Sequence, residues 1–194
     1  MRVQNKHGVN LQIKTLENDM WPFKKSGKDF TFQAKAAAVV LITETRDSTA
    51  HLLKSLVGEE RFESSEELVV PLVAELLAFG LHLTDRMAFG RLGESNRAEF
   101  MDALLLAVRS ELQPPVSSQL RDLYNSRNSF YGGFRKFYPE GNETLKGTLF
   151  WEFGKALGSI YANSNPVAIT EASKFGMTFM QAISQEFERV KVFP

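Results

Sequence analysis

Between Leu68 and Leu83 the chain is apolar almost without a break, and the ionisable positions inside the run are Glu75 and His82. A helix that is hydrophobic all round is either the centre of a packed domain or a membrane span. The run is somewhat short for a bilayer and carries two ionisable groups. It therefore reads as the central helix of a helical domain, over roughly residues 67–90.

On either side of that run, apolar residues recur at steps of three and four, the helical period. A first helix is predicted from about Phe32 to Val57, alanine-rich at its start, with the polar stretch Thr43 to Thr49 as a potential break. Phe100, Leu104, Val108 and Leu112 step by four and predict a third helix over about 95–112. Leu120, Leu123, Tyr124, Phe130, Phe134 and Phe137 predict a fourth over about 116–137, with Gly132-Gly133 as a bend inside it. Leu145, Leu149, Phe153, Ala156 and Ile160 predict a fifth over about 144–162. Ala168, Ala172, Phe175, Phe179, Ile183, Phe187 and Val190 form the stripe of a sixth.

The punctuation agrees with this division. Ser64-Ser65-Glu66-Glu67 is a capping-box pattern that opens the central helix. Pro71 sits too deep for a first-turn proline and is expected to kink the helix or split off a lead-in turn. Gly90 and Gly93 close it, Pro114-Pro115 separates helices three and four, and Asn165-Pro166 caps the sixth. Gly154 and Gly158 share a face with Ala162, which lets a neighbouring helix come close. The expected fold is all-α: a single-domain bundle of about six helices over residues 30–194, behind a peripheral or flexible segment 1–29. In that segment Val9, Leu11 and Ile13 alternate with polar residues as in a short edge strand, and Met20 is an alternative start of the chain.

Composition narrows the function more than it identifies it. The 194 residues suffice for one domain with a sizeable core, and 16 of them are Phe, which implies a well-filled core or an aromatic-lined cavity. Lys plus Arg and Asp plus Glu both total 23, so no excess positive charge favours a general polyanion binder. The absence of cysteine rules out disulfides, thiol catalysis and cysteine zinc sites, and fits a cytoplasmic location. Met1 to Gly8 carries basic residues with no apolar run behind them, so no signal peptide is read. Trp21 and Phe23 beside Lys24 and Lys25 resemble an interfacial anchor for peripheral membrane contact; the plainer reading is a tail packing on the domain.

Three constellations carry candidate chemistry. On the central helix Glu75, His82 and Asp85 fall on or near one face, with Arg86 four past His82. Glu44 and His51 repeat the Glu-to-His spacing on the first helix, so converging helices would offer a metal or small-molecule site. Against that, seven residues separate the ligands by roughly 10 Å along a helix, and the paired Glu-x-x-His of helical di-metal sites is missing. The plainer reading is a buried His82 bonded to a carboxylate and a charge cluster at the helix end. On the fourth helix Tyr124, Tyr131 and Tyr138 interleave with Arg121, Arg127, Arg135 and Lys136, which suits a phosphate-bearing ligand or single-stranded nucleic acid, or simply a tyrosine seam with a basic edge. In Phe150-Trp151-Glu152-Phe153 three aromatics cannot share one face, so Trp151 or Phe150 must meet a second surface. Glu152 is either a desolvated carboxylate with a raised pKa or the exposed position of that turn. Asp47, Ser48 and His51 match a nucleophile set only in residue type. No glycine-rich phosphate loop, G-x-S-x-G elbow or H-E-x-x-H motif occurs.

These features lead to a non-enzymatic interaction module, self-associating through the aromatic surplus of helices four and five. The alternative is a metal- or small-molecule-binding bundle, an oxidase or hydrolase, built on Glu75, His82 and Asp85. A third is a peripheral membrane or nucleic-acid binder.

Overall fold

The computed structural model describes residues 29–57, 66–137, 144–161 and 165–193. Among them lie six α-helices and no strand: α1 Thr31–Val57, α2 Glu66–Leu92, α3 Glu94–Glu111, α4 Val116–Gly132, α5 Leu149–Tyr161 and α6 Pro166–Arg189. The expected strand at Val9–Ile13, the Trp21, Lys24 and Lys25 anchor, the Ser64 cap and Tyr138 lie outside the described residues.

α2 is the axis. Every residue from Leu72 to Asp85 is buried, and the helix touches each of the other five. By length and composition α2 is the one helix among the described residues able to cross a membrane, yet 72% of its most apolar window is buried inside the bundle. Its all-round hydrophobicity is thus answered by protein on every side. Pro71 does not divide it. The proline lies in the half-buried opening turns, before the fully buried part, where a lost backbone bond disturbs least.

The polar stretch Thr43–Thr49 does not break α1. Thr45 and Thr49 turn inward with Ala34, Ala37, Ala38, Leu41, Leu52 and Leu53. The Thr49 hydroxyl donates to the Thr45 carbonyl at 2.8 Å, one turn back along the helix.

α4 stops at Gly132 rather than continuing to Phe137 as predicted. The glycine pair has poor helix propensity, and the chain tightens there through Gly133 N–H to Phe130 O and Phe134 N–H to Tyr131 O. What was expected as a bend is an end. α5 likewise begins at Leu149 and not at Thr144, because Gly147 adopts φ +80°, which interrupts a right-handed helix. Thr148 then caps α5, its hydroxyl accepting from Trp151 N–H at 3.2 Å. Asn165 caps α6 as predicted, accepting from Val167 N–H at 2.9 Å with Pro166 in the first turn.

The small residues of α5 do admit α6. A Cβ on Gly154 would overlap the Ser173 hydroxyl and lie 2.5 Å from the Ile169 carbonyl, and one on Gly158 would touch Ile169. Gly176 on α6 returns the arrangement by receiving Phe153. The phenylalanines mostly fill the core: Phe79 on α2 stacks on Phe153 with ring centres 3.9 Å apart, and meets Tyr131 and Phe150 edge-on.

Candidate functional site

Seven-residue and three-residue steps on α2 carry Glu75, His82 and Asp85 along the side that packs on α3 and α4. Burial there makes each polar group costly unless it finds a partner. Glu75 is 1% exposed. One of its oxygens accepts from the Tyr131 hydroxyl at 2.6 Å; the other accepts from Arg127 Nε and Nη2 at 3.0 and 2.9 Å. Burial pushes the Tyr131 phenol well above its ordinary range, and the Glu75 carboxylate beside it adds to the rise.

His82 is engaged on both ring nitrogens. Nδ1 lies 2.9 Å from Asn128 Oδ1, and Nε2 lies 3.0 Å from Arg86 Nε. A guanidinium only donates, so Nε2 must accept, and the imidazole proton sits on Nδ1 and is given to Asn128. Burial is the largest cause of the lowered His82 pKa; the Asn128 bond opposes it and the Arg86 charge reinforces it. Arg86 also donates from Nη2 to the carbonyls of Tyr131 and Phe134, satisfying the end of α4, and its guanidinium lies 4.7 Å from the centre of the Phe137 ring. Burial lowers the Arg86 pKa.

Asp85 forms a bidentate pair with Arg97 of α3, at 2.7 and 2.5 Å. Arg97 lies over the Phe89 ring at 5.5 Å. Tyr124 of α4 is half-buried nearby, and its phenol is pushed up to about 12, by burial first and by the Asp85 charge second.

Above this network opens a cleft of about 580 Å³, with His82, Arg86 and Asn128 at its base and Phe89, Arg135 and Phe137 among its other walls. Arg135 and Phe89 are exposed.

The first-helix echo does not join this group. His51 is exposed, and the half-buried Glu44 faces Glu186 of α6; burial, then Glu186 and Asp47, raise its carboxyl pKa. Although α1 and α2 pack together, no three His, Asp or Glu side chains among the described residues are placed to hold a metal ion. The reason is electrostatic: Glu75 and Asp85 are each turned to an arginine, and His82 has no lone pair left.

On α5, Phe150 and Phe153 are both core, and Trp151 is half-buried, with Lys146 Nζ 6.0 Å from its ring centre. Glu152 is buried rather than exposed, and Lys155 Nζ reaches it at 2.5 Å. Arg127, read as part of a solvated basic edge, is the counter-ion of Glu75; Arg135 is the arginine of that set that reaches the cleft.

Arg97, Asn128, Phe89 and Phe137 complete the site and carried no sequence signal of it. Arg97 reaches Asp85 across the turn at Gly93, where φ is +74° and the chain reverses into α3. Asn128 faces His82 because it lies one residue from Arg127 and three from Tyr131, on the same side of α4. With this geometry in hand, comparison with known proteins adds no further identification: no protein-family model, curated protein or solved structure matches the chain.

Proposed function

We propose that this chain is a non-enzymatic helical binding module, working in the cytoplasm, whose functional surface is the open cleft where α2 meets the end of α4. The absence of cysteine accommodates that location. The observation that carries the reading is that the groups able to do chemistry are already occupied. A general base has to lie within hydrogen-bond reach of its substrate's proton, which a group already tied to its neighbours does less readily. Both oxygens of Glu75, both oxygens of Asp85 and both ring nitrogens of His82 are held by neighbouring side chains. Beside the bonded His82, Asp85 and Asn128, the opening is lined by the guanidiniums of Arg86, Arg97 and Arg135 and the rings of Phe89 and Phe137, which bind rather than transfer protons.

Amide spectra of the ¹⁵N-labelled protein titrated with a small-molecule fragment library test this. Shift changes centred on Phe89, Asn128 and Arg135 support the cleft; hits confined to other surfaces overturn it.

Self-association is the second reading, now resting on different residues. Of the aromatic residues of α4 and α5 that suggested it, Tyr131, Phe150 and Phe153 are core, and Phe130 is exposed. Phe32 and Val39, however, are 79% and 61% exposed and stand seven residues apart, on one stripe of α1. Light scattering on an eluting column decides it: a dimer that Val39→Glu converts to monomer supports the reading, and a concentration-independent monomer removes it.

A further inference from the structure

The cleft holds more positive than negative charge. Among the described residues three guanidinium groups line it, from Arg86, Arg97 and Arg135, against the one carboxylate of Asp85. Asp85 is already committed to Arg97 through two hydrogen bonds. Arg86 is half-buried, and the acceptors it meets are neutral: the His82 imidazole and the carbonyls of Tyr131 and Phe134. Its Nη1 has no hydrogen-bond partner among the described residues, and Arg135 makes no ion pair among them. Asp85 acts on Arg86 only through its charge, with no hydrogen bond between them, and a half-buried cation whose hydrogen-bond acceptors are neutral attracts an anion more strongly than an exposed lysine does, because the local dielectric is lower.

The same guanidiniums are held in place before any ligand arrives. Arg86 lies over Phe137 and Arg97 over Phe89. Stacking on a ring restricts a long side chain and leaves less entropy to lose on binding. The exposed Phe89 face and Phe137 supply apolar area beside the charge. A volume of about 580 Å³ suits a small molecule. A nucleic-acid strand would draw on an overall positive charge, and the chain has none.

We propose that the cleft binds a small aromatic ligand carrying an oxyanion head, a phosphate or a carboxylate, with the head held by Arg86 and Arg135 and the ring lying against Phe89 or Phe137. This rests on the reading of the cleft as the working surface. Two guanidiniums that make no ion pair among the described residues favour the doubly charged phosphate over the carboxylate.

Titration calorimetry at low salt with phenyl phosphate, benzoate and benzyl alcohol tests it, on the full chain and on Arg135→Gln. Arg135 is exposed, so that variant keeps the fold. Expected is saturable one-to-one binding of phenyl phosphate, weaker binding of benzoate, and about a ten-fold loss of affinity in the variant, the order of one charge-assisted hydrogen bond. Benzoate binding more tightly than phenyl phosphate assigns the head as a carboxylate. Absence of saturable binding by either anion, or binding unchanged by Arg135→Gln, overturns the proposal. Benzyl alcohol binding alone, with amide shifts at Phe89, overturns the oxyanion while leaving the cleft as the working surface.

Discussion

Tyr131→Phe removes one oxygen atom from the middle of the bundle, and its cost follows from what that atom does. The Tyr131 hydroxyl is buried and donates at 2.6 Å to Glu75 Oε1, on a carboxylate that is 1% exposed. Arg127 serves the other oxygen, so the variant leaves Oε1 without this donor while its charge stays in place. A hydrogen bond to a charged group contributes about 1.5–3 kcal/mol, and nothing in the phenyl ring replaces it. Packing is otherwise conserved, because the ring still meets Phe79 edge-on at 5.3 Å. The expected loss is therefore about 2 kcal/mol, read as a lower urea midpoint at unchanged slope. Repeating the substitution in a Glu75→Leu background should make it nearly free, since the acceptor is gone; the difference between the two backgrounds is the coupling energy. Arg127→Met should cost more than Tyr131→Phe, on the order of 3 kcal/mol, because it strips the counter-charge from a buried carboxylate. That figure is at the low end of its range because the Arg127 side chain is itself 29% exposed. A loss below about 0.5 kcal/mol for Tyr131→Phe, equal in both backgrounds, would refute the claim that Glu75 depends on this bond.

Three further outcomes follow from other parts of the molecule. Gly154→Ala should destabilise by about 1–3 kcal/mol despite alanine's better helix propensity, because the new Cβ meets the Ile169 backbone carbonyl at 2.5 Å; thermal melting checks it, and a more stable variant would show that α6 can move away. His82 has a lowered folded pKa, so the unfolded chain binds the extra proton first as pH falls. Its contribution is therefore intact above the unfolded value of about 6.5 and is lost progressively as the pH drops from there toward the folded value, and urea midpoints of His82→Gln should lack that part of the acid slope. In an alkaline absorbance titration Tyr124 should ionise near 12 and Tyr131 beyond the ordinary tyrosine range. Tyr124→Phe and Tyr131→Phe should therefore leave the absorbance rise around pH 10 unchanged, and a loss of amplitude there would contradict their burial.

The architecture was legible in the sequence because it is written in local period and in capping. The apolar run of α2 announced a helix needing cover on all sides, and Leu72 to Asp85 are buried at every position. Asn165-Pro166 and the Gly154 face acted as their chemistry predicts. The ends at Gly132 and Leu149 were misread because helical spacing of aromatics continues past a glycine that the backbone does not follow. The site was only half legible. Spacing put Glu75, His82 and Asp85 on one side of α2, yet it could not say that α3 and α4 answer them with Arg97, Arg127, Tyr131 and Asn128. Those partners are 12 to 56 residues away in sequence, and no periodicity encodes which faces meet across such a distance. The Glu44 and His51 echo was a coincidence of spacing, since burial and pairing differ on α1.

His82 stands between Asn128 and Arg86 as a ring that accepts from the arginine, and this contact holds the Arg86 guanidinium at the cleft. Long-range ¹H–¹⁵N correlation spectra of the imidazole ring at neutral pH read its state directly. The predicted result is a proton on Nδ1 and a bare Nε2 that remains unprotonated as the pH is lowered through about 6.5. A ring carrying its proton on Nε2, or one already doubly protonated at that pH, would contradict the His82–Arg86 contact that the proposed site depends on.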